Sequence, residues 1–290
     1  MSDPRPIGVF DSGVGGLTVL SEILRRLPRE STVYLGDNAR APYGVRSIEE
    51  IRRLSSECLD ELVARDVKAI VVACNSSSAA ALEHLRERYD LPILGVVRPG
   101  AAAAALATRN GRIGVIATPA TVRSRAYFAA IKDENPALHV YEQPAPELVP
   151  LVEAGRLDGR DVEAAVRRSV APLFGLTEAL VPLPYSRPPD EPIDTLLLGC
   201  THYPLLRAVI SSVAGPGTAV VDSAAATASS LAELLGINAL EAPPGTPVMH
   251  YQLTTGDAAA FARTAARLFG PQFGAVSHVE LGAQLAVAEA

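Results

Sequence analysis

The chain has 290 residues, of which 48% are apolar and 20% charged, and its formal net charge is −6. This length and composition support one large domain or two modest ones around a substantial core. The net negative charge, the scattered basic residues and the absence of Trp disfavour a nucleic-acid-binding surface.

The sequence also indicates the cellular compartment in which the protein works. No apolar run approaches the roughly 20 residues that a membrane-spanning helix needs. The first six residues are short and polar, unlike a signal peptide. Three cysteines are too few for a disulfide framework in a chain of this size. We therefore expect a cytoplasmic protein whose thiols stay reduced and available for chemistry.

The first predicted strand, residues 7–10, ends in a Gly-rich turn at 11–16. A helix with leucines at helical spacing follows and stops before Pro28. Such a turn can bind an anion on backbone N–H groups. Its spacing is not G-x-G-x-x-G and no Walker lysine follows, which favours a carboxylate over a nucleotide. Asp11 is either a helix cap or a site residue. Its place at the carboxyl end of a strand favours the site role.

A second strand at 32–35 runs into a turn-forming loop at 36–44. Asp37, Arg40 and Tyr43 make this loop either a functional segment at a sheet crevice or a solvated turn. A capping box of Ser47 and Glu50 then opens a helix to about residue 65. Cys58 lies among the apolar positions of that helix, so we predict that it packs in the core.

Two stretches, 69–78 and 195–204, share one pattern: an apolar run of strand length, a cysteine, then small polar residues. Such runs suit strands of a parallel sheet covered on both faces, and side chains just past their carboxyl ends face the ligand crevice. Cys74 and Cys200 are thus each placed for chemistry. The alternative is that both are small residues buried at strand ends.

The remaining chain alternates strands and helices, which predicts an α/β fold with parallel sheets. A helix is expected from Cys74 to about residue 89, and Arg98–Gly100 resembles a boundary. Further strands are predicted at 92–97, 112–117, 138–141, 219–222, 248–254 (a candidate edge strand) and 275–279. Further helices are predicted at 101–107, 147–153, 161–171, 203–213, 224–235 and 258–269.

The pattern of the first strand restarts at 112–117, which suggests an internal duplication with one cysteine in each half. Thr118 and Thr121 stand where Asp11 and the glycines stood, and they either bind substrate or cap the next helix. The second half is longer by about the length of a Pro-rich stretch at 176–192. Its prolines exclude a continuous helix or central strand, so we interpret it as an inserted surface loop.

Two thiols, the acids Asp11 and Glu153, and His202 are the candidate reactive groups. A cysteine-based zinc site would need closer ligand spacing. A thiol hydrolase pairing Cys200 with His202 would leave Cys74 unexplained. Proton transfer between two thiols on opposite sides of a substrate explains both, and a free thiol pKa of about 8.5 makes both protonation states accessible. For Glu153, the sequence favours an exposed position over one lining the cleft.

Four motifs, at 10–16, 37–44, 73–75 and 199–204, occur in the order found in bacterial glutamate racemase. The chain resembles that family from Ile7 to about Gly236. The resemblance implies interconversion of L- and D-glutamate without cofactor or metal, which supplies D-glutamate to peptidoglycan. It also implies two pseudo-symmetric α/β domains with mainly parallel sheets flanked by helices, an active site in the cleft between them, and a homodimer.

By this resemblance the first domain comprises residues 1–98 and 207–290, and the second 99–206. Cys74 and Cys200 match the acid/base pair, with Asp11 beside the first and His202 beside the second to assist them. Asp37 and Glu153 match further acids near the site. The residues that match substrate contacts are Asp11, Ser12, Pro42, Tyr43, Gly44, Asn75, Ser76, Thr118, Thr121, Thr201 and His202.

Some positions depart from the family pattern. Ser76 stands where Thr is usual, Ala117 replaces a common Gly, and the Pro-rich insertion has no clear counterpart. None of these changes removes a catalytic group. Two other functions remain as alternatives: a racemase for aspartate or another acidic amino acid, and a non-catalytic amino-acid-binding protein on the same fold. The intact cysteine pair argues against the second.

Overall fold

The structure is a computed structural model that describes residues 2–174 and 191–281. The strands in these ranges are β1 (Ile7–Asp11), β2 (Thr32–Gly36), β3 (Ala69–Val72), β4 (Ile93–Gly95), β5 (Arg112–Ala117), β6 (His139–Pro144), β7 (Thr195–Gly199), β8 (Ala219–Asp222), β9 (His250–Thr254) and β10 (Ser277–His278). The α-helices are α1 (Leu17–Arg26), α2 (Ile48–Ala64), α3 (Asn75–Ala80), α4 (Leu82–Arg88), α5 (Val97–Ala107), α6 (Pro119–Ser124), α7 (Ala126–Glu134), α8 (Leu148–Glu153), α9 (Arg160–Val170), α10 (Arg207–Ala214), α11 (Ala224–Ile237) and α12 (Ala258–Phe269).

The strands form two parallel sheets, ordered β10-β9-β2-β1-β3-β4 and β6-β5-β7-β8. Helices connect successive strands, as parallel pairing requires. The predicted α/β class with parallel sheets flanked by helices is confirmed. The order β6-β5-β7-β8 repeats the order β2-β1-β3-β4, which supports the predicted duplication. Cys74 and Cys200 follow the equivalent strands β3 and β7.

The strand β8 departs from the domain division that the resemblance implied. That division placed residues 207–290 in the first domain, but Ala219–Asp222 pairs in register with β7 of the second sheet. The physical reason is the duplication, because β8 stands at the end of its sheet as β4 does in the other. The domain limits therefore stay a prediction, and the sheet pairing argues for moving the second boundary beyond β8.

Each sheet is covered on both faces, which explains its near-continuous apolar strands. One face of the larger sheet packs against α1, α11 and α12, and the other against α2 and α4. The smaller sheet packs against α5 and α7 on one face and α9 and α10 on the other. Cys58 lies on the face of α2 that packs against the sheet and is fully buried, so its predicted packing role is confirmed.

Two local predictions need correction. The helix after Cys74 is interrupted at Ala81, whose φ of −123° separates α3 from α4. Arg98–Gly100 lies in the first turn of α5, where a proline costs no helical hydrogen bond, and the domain boundary expected there stays a prediction. β9 is not an edge strand, since β10 pairs beyond it. Residues 176–190 of the Pro-rich stretch lie outside the described residues.

Other local predictions are confirmed. Ser47 caps α2 by accepting a hydrogen bond from the backbone N–H of Glu50 at 3.2 Å. The last long helix occupies the predicted range, Ala258–Phe269. Within the ranges that the structure describes, no helix is long and apolar enough to cross a membrane.

Candidate active site

A cavity of about 380 Å³ opens where the carboxyl ends of strands from both sheets meet. Cys74 and Cys200 both line it, although they come from different sheets. Loops that follow β1, β2 and β3 form one wall, and loops that follow β5, β6 and β7 form the other. Parallel strands bring all these loops to the same edges, which is where α/β proteins bind ligands. The lining residues are Ser12, Gly13, Asn38, Ala41, Pro42, Tyr43, Gly44, Val45, Cys74, Asn75, Ser76, Thr118, Pro119, Pro146, Val149, Pro150, Glu153, Cys200, Thr201 and His202.

Cys74 is held in the turn between β3 and α3. It is buried, and its Sγ lies 3.4 Å from the Ser12 hydroxyl. Burial raises the pKa of the Cys74 thiol, and the negative charge of Asp11 raises it further. Cys74 therefore favours the protonated thiol at neutral pH.

Asp11 is fully buried behind the cavity wall rather than exposed in it. Its Oδ1 accepts a hydrogen bond from the Gly13 N–H at 2.9 Å, and its Oδ2 accepts one from the Thr201 hydroxyl at 3.2 Å. Burial raises the pKa of Asp11, although the nearby His202 charge opposes the shift. Asp11 thus links the β1 turn of one sheet to the residue that follows Cys200 in the other.

Cys200, His202 and Glu153 form a chain of contacts on the second wall. Cys200 Sγ lies 3.8 Å from His202 Nδ1, and His202 Nε2 lies 2.6 Å from Glu153 Oε1. Burial alone would lower the pKa of His202, but its hydrogen bonds to Cys200 and Glu153 outweigh burial and raise it. An imidazolium here donates one N–H to the carboxylate and presents the other to the Cys200 sulfur.

A row of hydroxyl groups joins the two walls. Ser76 Oγ lies 2.9 Å from Thr118 Oγ1, which lies 3.0 Å from Thr121 Oγ1. Thr118 caps α6, which confirms one of the two roles weighed from the sequence, and it also lines the cavity, where substrate binding stays a prediction. Thr121 stands behind Thr118 and does not line the cavity.

The loop after β2 is braced from behind by Asp37. The Tyr43 hydroxyl donates to Asp37 Oδ2, and Arg40 Nε donates to the same oxygen at 2.8 Å. Asp37 Oδ1 accepts from the Thr255 hydroxyl at 2.6 Å. Tyr43 lines the cavity and Asp37 does not, so Asp37 acts on the cavity through the position of the Tyr43 loop.

The chain is similar to known proteins along nearly its whole length. The family model described as Asp/Glu/hydantoin racemase matches residues 7–231. A glutamate racemase from Geobacter metallireducens is 45% identical over 97% of this chain and 98% of its own. One from Parafrankia is 48% identical over 94% and 93%. The crystal structure of a glutamate racemase isoform from Bacillus anthracis superposes with a TM-score of 0.87 at 40% identity, covering 96% of this chain and 98% of that one.

The chain belongs to the glutamate racemases of the Asp/Glu/hydantoin racemase family. It is therefore an isomerase, and the resemblance read from the four motifs is confirmed. The crystal structure of the glutamate racemase from Francisella tularensis contains D-glutamate; that chain is 31% identical, with a TM-score of 0.85 over 97% of this chain and 99% of its own.

In this racemase the structure brings most of the sequence-predicted residues to one cavity. Asp11, Asp37 and Thr121 are the exceptions, each buried one layer behind it. The expectation that Glu153 is exposed was incomplete. Its side chain is 36% exposed, yet it lines the cavity and contacts His202.

Sequence reasoning missed one wall of the racemase cavity. Pro146, Val149 and Pro150 line it together with Glu153. Their spacing of three, four and seven residues marks one face of α8 and of the turn that precedes it, a signal that could have identified them. Asn38 and Val45 were also missed, because loop residues carry no periodic signal. In the described part of the chain, no group of three or more His, Cys, Asp or Glu side chains is placed to hold a metal ion.

Proposed function

We propose that this chain interconverts L- and D-glutamate without a cofactor, with Cys74 and Cys200 as acid and base on opposite faces of the α-carbon. The observation that carries the proposal is that two thiols, from equivalent turns of two duplicated halves, line one cavity. One thiol alone would explain neither the duplication nor the second cysteine. Relatives of nearly the same length bear the name glutamate racemase, which supports glutamate as the substrate.

For L-glutamate, the Cys200 thiolate takes the α-proton and the Cys74 thiol donates its own proton to the opposite face. The C–H bond that breaks leaves its electron pair on the α-carbon, and that pair forms the new C–H bond of D-glutamate. The reverse reaction exchanges the two roles. The protonated state that burial favours for Cys74, with an imidazolium beside Cys200, suits the L-to-D direction at the start of turnover.

Apart from His202 and Glu153, the cavity offers neutral polar groups to the substrate's charges. Among the described residues, none of those lining the cavity is Lys or Arg. Hydroxyl and amide groups are available instead, on Ser12, Asn75, Ser76, Thr118 and Thr201. His202 is thus the one cationic side chain in the described lining, and the neutral groups orient the rest of the substrate.

The deciding experiment follows the circular dichroism of L-glutamate and of L-aspartate incubated with pure protein and no added cofactor. We expect the glutamate signal to decay to zero and the aspartate signal to persist. Decay of aspartate alone would favour the runner-up function, a racemase for the shorter acid. Decay of neither would favour a binding protein.

Variants of the three cysteines then test the assignment. Replacing Cys74 or Cys200 by Ala should lower racemisation by at least about 10²–10⁴-fold, the usual cost of a lost general acid or base. The matched control is Cys58→Ala, which removes a thiol that does not line the cavity. That control should stay within about tenfold of wild type, since it loses packing and two long sulfur contacts, with Arg40 Nη2 at 3.5 Å and with the Tyr43 hydroxyl at 3.9 Å.

We further propose that the product D-glutamate supplies peptidoglycan synthesis, that the protein works in the cytoplasm, and that it forms a homodimer. Complementation of a bacterial strain that requires D-glutamate tests the first point, and cell fractionation tests the second. Analytical ultracentrifugation tests the third, and a species of 30.4 kDa at working concentration would exclude the dimer.

A further inference from the structure

Asn75 lines the cavity directly after Cys74 and has only half of its amide satisfied. Its Nδ2 donates a hydrogen bond to the Tyr127 hydroxyl at 2.7 Å. Its Oδ1 is buried and has no hydrogen-bond partner among the described residues. A buried, unpartnered carbonyl oxygen is unfavourable unless a ligand or water supplies a donor. The bond to Tyr127 is therefore the one hydrogen bond of this amide within the described residues.

Tyr127 is itself held rigidly between the two cysteine turns. Its side chain is fully buried on α7. A Cβ added at Gly199 would lie 2.9 Å from the edge of its ring, and one added at Gly100 would lie 3.4 Å from its hydroxyl. Gly199 immediately precedes Cys200, and Asn75 immediately follows Cys74. One phenol thus packs beside one catalytic turn and hydrogen-bonds the residue next to the other.

We propose that Tyr127 is a positioning residue that holds the Asn75 side chain in the cavity wall beside Cys74, where that side chain contacts the substrate. The inference rests on the proposed glutamate racemisation. Tyr127 does not line the cavity, so it acts through Asn75 and not on the reacting atoms. Because a binding contact away from the reacting carbon is made alike in the substrate and in the transition state, loss of this positioning should raise KM and leave kcat unchanged.

The test is the variant Tyr127→Phe, which keeps the ring and removes the hydrogen-bond acceptor. We expect KM for both glutamate enantiomers to rise about tenfold, the equivalent of one hydrogen bond, with kcat within about twofold of wild type. Asn75→Ala should raise KM at least as much. In the double variant, Tyr127→Phe should add less than about twofold, because the two residues act as one unit.

The control is Tyr89→Phe, which removes a half-buried hydroxyl bonded to Asp60 and the Ser56 carbonyl, away from the cavity. It should leave KM and kcat at wild-type values. Thermal unfolding of each variant separates positioning from folding.

An unchanged KM in Tyr127→Phe would overturn the inference, as would additive effects in the double variant. So would a fall in kcat that parallels a lower melting temperature, since that would mean a purely structural role. Absence of glutamate turnover by the wild type would overturn the proposed function and this inference with it, whereas wild-type turnover with an unaffected Tyr127→Phe variant would overturn this inference alone.

Discussion

The contact between His202 and Glu153 allows a sharp prediction about charge. The variant Glu153→Gln keeps the size of the side chain and an oxygen that can accept from His202 Nε2 across 2.6 Å. It removes the negative charge that helps to raise the pKa of His202. The orientation of the ring is kept, so the variant isolates the electrostatic contribution.

The size of the effect follows from the geometry. A hydrogen bond to a charged group contributes about 1.5–3 kcal/mol. The Glu153 side chain is 36% exposed, so solvent screening places the contribution at the lower end, about 1.5 kcal/mol. That corresponds to a fall of about tenfold in kcat/KM. Because the two enantiomers have equal free energies, the fall must be the same in both directions, which is an internal check on the data.

The raised pKa of His202 predicts the direction in which the pH profile of Glu153→Gln moves. His202 has a raised pKa, so its imidazolium persists as the pH rises through the ordinary range of histidine and is lost only above it. In Glu153→Gln the pKa falls, and the imidazolium beside Cys200 is lost at lower pH. We therefore expect the alkaline limb of the kcat/KM profile to move to lower pH.

The assay is circular dichroism of glutamate across the pH range. The matched control is Glu147→Gln, which removes the same charge from a surface ion pair with Arg168 outside the cavity. It should leave the profile unchanged. A Glu153→Gln profile identical to that of wild type, or an equal shift in both variants, would refute the role given to the His202 contact.

Three further outcomes are expected. Gly15→Ala should lower kcat/KM by about 10²-fold or more, because its Cβ would lie 2.5 Å from His202 Nδ1 and Thr201 Oγ1. The control Gly217→Ala, with no atom within 4 Å of its Cβ, should have wild-type activity. Equal activities of the two variants would refute a steric role for the Gly15 position. Lys68→Met should lower the free energy of unfolding in urea by about 3–5 kcal/mol. The buried Glu30 carboxylate lies 2.5 Å from Lys68 Nζ and would lose its ion-pair partner. A smaller loss would mean that other groups stabilise the Glu30 charge. Exhaustive dialysis against a chelator and a carbonyl reagent should leave racemisation intact, and its loss would point to a metal or pyridoxal phosphate.

The sequence allowed the positions of both cysteines to be predicted because they depend on local rules. An apolar run of strand length in a parallel sheet ends at the crevice whatever the rest of the chain does. The repeated strand order then brings the turns after β3 and β7 to one cavity. Cys58 could be assigned to the core, unlike the other two cysteines, because helical spacing placed it on an apolar face.

The rest depended on contacts between distant residues. The bond from Thr201 to Asp11 and the contact of Glu153 with His202 join segments from different elements, and no local pattern encodes them. β8 pairs with β7 at the edge of the smaller sheet. The four residues of β8 carry no signal that tells to which of the two sheets the strand adds. The break at Ala81 lies within a run of good helix formers, so propensity alone predicts continuity there.

The two-thiol mechanism is tested most directly by the early incorporation of solvent deuterium. Each enantiomer of glutamate is incubated with the enzyme in heavy water, and both enantiomers are isolated after a few per cent of turnover. The account predicts deuterium at the α-carbon of the product, because the donating thiol has exchanged with solvent beforehand. It predicts little deuterium in the remaining substrate, because its own base returns the original proton. Equal early labelling of both enantiomers would indicate one shared base and would contradict the assignment of Cys74 and Cys200 to opposite faces.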